Sequence, residues 1–226
     1  MRSKTNAAKP GDPLLDRILT SGTAPADAGR DRILSAALEQ VEDFGVRRFT
    51  IDDVARRVGV SRVTIYRHFP KKDRLIEAVL LHELNRFLRS VDEAVEPYDT
   101  LEETLVEGFV FALTFLRRHR LLNRLLRTEP ELILPALTVN GDAVLSAARE
   151  FIAGFARREA GRGELPLTGE EIDGVSELLA RAVISFVVTP TSTLRLRTPA
   201  EIRRFAEHYL APTLHVLGEL PRKPAA

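Results

Sequence analysis

The stretch that most limits the fold runs from Thr50 to Leu75, TIDDVARRVGVSRVTIYRHFPKKDRL. Thr50 precedes Asp53 by three residues, the spacing of an N-terminal helix cap. Gly59 supplies the left-handed conformation that a tight turn needs. Ser61 is placed to cap the helix that follows, and Pro70 disfavours helix at Phe69. The stretch therefore predicts two short helices joined by a tight turn. Ile65 and Phe69 lie four apart and face a core, while Arg62, Val63, Thr64, Tyr66 and Arg67 fall mostly on the open side. From Arg56 onward the bases Arg57, Arg62, Arg67, Lys71, Lys72 and Arg74 meet one acid, Asp73. The whole chain has a formal net charge of only +1, so this is a local concentration. A compact helix-turn-helix with a positive face suits an anionic polymer.

The remaining composition excludes several classes. There is no cysteine, which removes a disulfide scaffold, a cysteine zinc site and a thiol nucleophile. The N-terminus lacks the apolar run of a secretory signal, and no apolar run reaches the roughly 18–20 residues that span a bilayer. The expected location is cytoplasmic, with no membrane partner. His82, His119, His208 and His215 are scattered without metal-ligand spacing, and neither G-x-S-x-G nor a phosphate loop occurs. No enzyme, cofactor or metal is expected. Five lysines stand against 28 arginines, a bias of GC-rich bacterial coding.

The flanking chain reads as all-α. Residues 1–29 are a flexible arm, with Arg2, Lys4 and Lys9 in reach of a minor groove. Ile33, Ala37, Leu38, Val41 and Phe44 recur at helical spacing before a stop at Gly45. A long helix from Lys71 to Val95 leads to Pro97, and another spans Thr100 to Arg118. A short one follows from Leu121 to Arg127. Pro130 and Pro135 interrupt the next segment, and Glu129 and Glu131 read as a solvated corner. A helix is expected from Leu137 to Glu159 and a loop from Gly161 to Thr168. Thr168 with Glu171, and Thr198-Pro199 with Glu201, start two further helices. The last ends near Gly218, with Pro212 kinking it. The expected divisions are 1–29 (arm), 30–75 (helix-turn-helix), 76–220 (larger helical domain) and 221–226 (tail).

Residues Ile33 to Leu75 resemble the DNA-binding domain of TetR-family transcriptional regulators. The resemblance rests on Ile33, Ala36-Ala37, Gly45, Phe49-Thr50, Val54-Ala55, Gly59-Val60-Ser61, Thr64-Ile65-Tyr66, His68-Phe69, Lys72 and Leu75. Val63 departs from it, since the family often has a small residue there. The resemblance implies a three-helix N-terminal DNA-binding domain and a larger C-terminal ligand-binding and dimerisation domain. It implies a homodimer on a palindromic double-stranded DNA operator, usually as a repressor, released by a small effector. Arg62, Val63, Thr64 and Tyr66 then stand as major-groove readers, with Arg67, His68, Lys71 and Lys72 toward phosphates. Leu178, Leu179, Ala182, Val183 and Phe186 with Phe205, Tyr209, Leu214 and Leu217 are the candidate dimer seam, and equally the filling of a monomer core. Alternative readings are a helix-turn-helix scaffold kept as a protein-interaction module, or a ligand-independent activator.

The larger domain offers an apolar lining for a small hydrophobic effector. Its candidates are Phe109, Phe111, Leu113, Phe115, Leu116, Leu122, Leu125, Leu126, Phe151 and Phe155, with Thr114, Asn140 and Ser185 as polar anchors and Tyr98 and His119 as weaker ones. Each of the apolar residues, taken alone, reads first as core.

Overall fold

A computed structural model of the chain describes residues 28–160 and 167–219. All the regular structure among the described residues is helical. Helices α1 (Ala28–Phe44), α2 (Ile51–Val58) and α3 (Arg62–His68) form the N-terminal unit. The long α4 (Lys72–Val95) leads from it to α5 (Leu101–Arg118), α6 (Arg120–Thr128), α7 (Pro130–Leu137), α8 (Asp142–Ala160) and α9 (Gly169–Val188). The last rod is α10 (Pro199–Phe205), a π-helical turn (Ala206–Leu210) and α11 (Ala211–Glu219). Residues 1–27 of the predicted arm, the C-terminal tail and most of the loop before Thr168 lie outside the described residues, and the last two arm residues, Ala28 and Gly29, instead begin α1.

The N-terminal core forms where the apolar faces of α1 to α4 meet. Phe49, Ile65 and Leu75 are fully buried there, beside Ile33, Val41 and Val54. Leu121 and Leu125 of α6 are buried in the same core. Two leucines withdrawn from water contribute about 3–6 kcal/mol as an upper bound. The division expected at residue 76 is therefore crossed by α6, which belongs physically to both halves.

Next to α6, the predicted solvated corner divides: Glu131 is exposed, and Glu129 is instead a buried latch. Glu129 is 5% exposed. Its carboxylate accepts hydrogen bonds from the backbone N–H groups of Val46 (2.9 Å) and Arg47 (3.1 Å). These donors become available because α1 ends at Gly45, whose φ is +83°. Gly45 also allows the acid to approach: a Cβ there would lie 2.5 Å from Glu129 Oε1. Lys72 Nζ donates to the Val46 carbonyl at 3.3 Å, and Arg47 pairs with Glu131 at 2.5 Å. The turn after α1 is thus held from both α4 and the α6–α7 corner.

Further on, three expectations change. Pro130 and Pro135 do not interrupt a helix but sit within α7, Pro130 in its first turn, where a missing N–H removes no helical bond. Pro135 lies near the other end, and the chain turns at 138–141 before α8, which starts at Asp142 and not at Leu137. In the last rod the disturbance lies ahead of Pro212. Ala211 donates to the Ala206 carbonyl, a widened turn. Proline lacks a donor for the carbonyl four residues back and crowds it, and the π turn makes room. The capping boxes at Thr168–Glu171 and Thr198–Glu201 are both complete. Arg117 ties the end of α5 to the Phe186 carbonyl (3.3 Å) and to that of Leu196, and Arg203 clasps Glu107 at 2.5 and 2.6 Å.

Gly45→Ala is expected to destabilise the fold by about 1–3 kcal/mol through its backbone conformation alone, and by more through contact with Glu129. Glu129→Gln keeps the shape but weakens two charge-assisted bonds, for a loss of about 1–3 kcal/mol. Urea unfolding measures both. A wild-type midpoint in both variants rules the latch out.

Candidate nucleic-acid interface

The helix-turn-helix is built by local chemistry. The Thr50 hydroxyl accepts from the Asp53 N–H at 3.2 Å and opens α2. It also donates to the Asp53 carboxylate at 2.6 Å. That hydrogen bond, aided by Arg56, outweighs desolvation and holds the Asp53 carboxyl below the usual carboxylate range. Gly59 closes α2 with φ +76°, its N–H reaching the Ala55 carbonyl. Ser61 then caps α3 by accepting from the Thr64 N–H at 3.2 Å. Ile65 and Phe69 anchor α3 in the core, at 0% and 3% exposure.

Anchoring those two residues turns the opposite side of α3 to solvent. Val63 is 78% exposed and Tyr66 46%, unusual values for large apolar side chains. Arg62, Arg67 and Lys71 are exposed beside them, and Thr64 and His68 are half-buried. Thr64 is partly committed already, since its hydroxyl lies 3.0 Å from that of Ser61. Lys72 is placed differently from a freely presented phosphate clamp. It braces the Val46 carbonyl and sits over the Phe49 ring at 5.7 Å, half-buried. Lys71 precedes α4, whose first turn has no side-chain cap. The amides there are open toward an anion.

Many of the arginines are held by acids on this unit. Arg62 pairs with Asp52, and Arg56 with Asp53. Arg57 lies 3.3 Å from Glu39 and 3.5 Å from Asp43. The pairs are solvent-exposed and so individually weak. They orient the guanidinium groups while leaving them exchangeable. The Asp52–Arg62 pair was not anticipated, although the acid lies only about two helical turns before the turn glycine.

The predicted effector residues do not converge on one chamber. Phe109 and Leu113 are buried among α5, α9 and α10, in a second core. Phe151 and Phe155 stack edge to face on α8, with centroids 5.2 Å apart. Asn140 is exposed on the turn after α7 and Ser185 is exposed on α9, so neither anchors an enclosed pocket. Leu122 and Leu126 are half-buried on α6. Of them, Phe111, Thr114, Phe115 and His119 line a groove, about 510 Å³ in volume, where α1, α4, α5 and the start of α6 meet. Arg86 and Arg118 also line it, and sequence reasoning gave them no part. No hydrophobic pattern marks them, because the groove is made by the junction of distant helices.

Comparison with known proteins matches this architecture twice. Residues 33–79 match the model of "Bacterial regulatory proteins, tetR family". Residues 100–207 match that of "Bacterial Tetracyclin repressor, C-terminal domain". An uncharacterised HTH-type transcriptional regulator of Mycobacterium tuberculosis is 35% identical over 113 residues, 50% of this chain and 57% of that protein. The regulator TtgR of Pseudomonas putida is 35% identical over 89 residues, 37% of this chain and 42% of that protein. The chain thus spans about half the length of the curated relatives it matches. Among solved structures, the repressor AlkX from Dietzia, described as implicated in n-alkane biodegradation, aligns with a TM-score of 0.59 at 22% identity. The alignment covers 88% of this chain and 100% of that one. A regulator from Mesorhizobium loti aligns with a TM-score of 0.62 at 20% identity, covering 86% and 98%.

Replacing Ser61 by Ala removes the cap of α3 and is expected to lower the unfolding free energy by about 1 kcal/mol. Urea titration checks this, and Ser61→Asp should restore the loss.

Proposed function

The chain belongs to the TetR family of bacterial transcriptional regulators, and from that premise we propose that it is a repressor that binds a palindromic operator as a homodimer and leaves it when a small, largely apolar effector binds. The observation that carries the reading is the outer face of α3. A helix firmly seated by Ile65 and Phe69 leaves Val63 and Tyr66 uncovered, beside Arg62, Arg67 and Lys71. An isolated monomer has no use for such a surface, and a major groove admits one helix of this size.

The parts divide by chemistry. Arg62 suits a guanine O6 and N7, and the methyl groups of Val63 and Thr64 suit a thymine. Asp52 holds Arg62 in the unbound state and must release it for that contact. Tyr66 and His68 lie further along α3, and Arg67 and Lys71 meet phosphates. The uncapped start of α4 takes a phosphate through its amides. Lys72 acts through the Val46 carbonyl, as a brace that positions its neighbours.

A second surface supports pairing. On α9, Gly174, Leu178, Arg181 and Ser185 form an exposed stripe, with Leu178 at 55%. Tyr209 and Val216 on the last rod are 56% and 58% exposed. Leu179, from the same expected seam, instead fills the monomer core. The seam therefore splits: Phe186 and Phe205 stack at 5.5 Å within the monomer, Leu178 and Tyr209 remain for a second copy, and Val216, outside the expected seam, adds to them. Two-fold pairing sets two α3 helices on half-sites one helical turn or a multiple apart.

The reading is tested by gel shift and footprinting with promoter DNA next to the gene. A salt-sensitive, palindromic footprint is expected; its absence at every nearby promoter overturns the reading. Arg62→Ala should cost about 1–3 kcal/mol and relax preference at one base pair of each half-site. Lys71→Ala should weaken all sequences alike and reduce the salt slope by about 1 per protomer. For pairing, Leu178→Arg with Tyr209→Asp should shift the mass in analytical ultracentrifugation from dimer to monomer. A dimer that persists in the double variant places the interface elsewhere.

A further inference from the structure

We propose that the groove between α1, α4, α5 and α6 is a ligand site for a small amphiphile carrying one negative charge, a carboxylate on an apolar body. Its volume, about 510 Å³, lies within the range of sites that hold small organic ligands. The consequence for DNA rests on the effector-controlled reading above; the binding itself does not.

The floor is apolar. Phe111 and Phe115 have ring centroids 5.6 Å apart, and Leu38 faces them from α1. The rim carries three guanidinium groups, and the one without an acid sets the charge of the ligand. Arg86 meets Glu83 at 2.7 Å. Arg120 meets Glu42 at 3.1 Å and Asp43 at 3.4 Å. Arg118, exposed at the end of α5, makes no ion pair with any described residue. Arg118 is therefore the rim guanidinium that no acid reaches, above an aromatic floor. A neutral hydrophobe leaves it unused.

A carboxylate at the rim is balanced by Arg118, and the apolar body then lies on the phenyl rings.

The groove also sits where binding reaches the DNA-reading unit. Glu42 and Leu38 belong to α1, and Arg120 opens α6. His119 joins α5 to α6: its Nε2 lies 2.8 Å from Glu83, and its Nδ1 accepts from the Leu122 N–H at 3.2 Å. That pattern places the imidazole proton on Nε2. A ligand that parts Arg120 from Glu42 loosens α1 from α6, and α6 carries Leu121 and Leu125 in the N-terminal core.

Calorimetric titration of the full chain without DNA tests the site, with decanoate as the probe. One saturable site per chain is expected. The neutral 1-decanol should bind about tenfold more weakly, and decyltrimethylammonium more weakly still. Arg118→Gln should weaken decanoate about tenfold and leave decanol unchanged. The proposal is overturned if decanol matches decanoate, or if Arg118→Gln binds decanoate as the wild type does. A gel shift separates the two readings. Decanoate binding that depends on Arg118 but leaves the DNA complex intact keeps the site and removes its role as effector site. Release of DNA that ignores Arg118 removes the site.

Discussion

The molecule depends on one carboxylate reaching one turn. Glu129 comes from the corner between α6 and α7 and takes two backbone N–H groups that the end of α1 leaves open. A helix end must find partners for its exposed backbone groups, and a buried carboxylate must find donors. Here each need answers the other. Gly45 is required twice, for its positive φ and for the room that the acid occupies. The contact spans more than eighty residues of sequence and ties the N-terminal unit to the larger helical domain.

The latch makes α6 the mechanical link. The helix is only nine residues long, too short to be stable alone. It is held by Leu121 and Leu125 on one side, by the His119 cap at its start and by Glu129 at its end. Around His119, burial pushes the Glu83 carboxyl upward, but the hydrogen bond from His119 and the charge of Arg86 outweigh it and hold the acid below its ordinary range. The acid therefore stays charged. The joint between the halves is thus ionic on the groove side and apolar on the core side, which lets it shift without exposing much hydrophobic surface.

Much of the N-terminal unit was legible because its determinants are local. Thr50, Gly59, Ser61 and Pro70 act over three or four residues, and the structure places each in the turn or cap expected of it. The two capping boxes near residues 168 and 198 were legible for the same reason. What was not legible depends on partners far along the chain. Glu129 looks solvated beside Pro130 until Gly45 is brought against it. Lys72 reads as one more base of the cluster until Val46 and Phe49 occupy it. The expected effector lining failed similarly: the periodicity that marks Phe109, Leu113, Phe151 and Phe155 marks any buried helix face. Core and pocket differ only in whether a neighbouring helix fills the space.

The same distinction explains why charge, more than apolar area, identifies the groove. Apolar side chains find other apolar side chains in any helical bundle, and most of those here did. Arg118 is a guanidinium without an acid among the described residues, set at the rim of the groove where α1, α4, α5 and α6 meet. A ligand moves DNA-binding affinity only by the difference between its affinities for two arrangements. Switching a population from 1:99 to 99:1 takes about 5.5 kcal/mol of that difference. One exposed ion pair is worth far less. The remainder must come from apolar contact that exists in one arrangement only, and so from the aromatic floor that α1 closes over. On this argument the charge selects the ligand, and the phenyl rings of α5 supply most of the work.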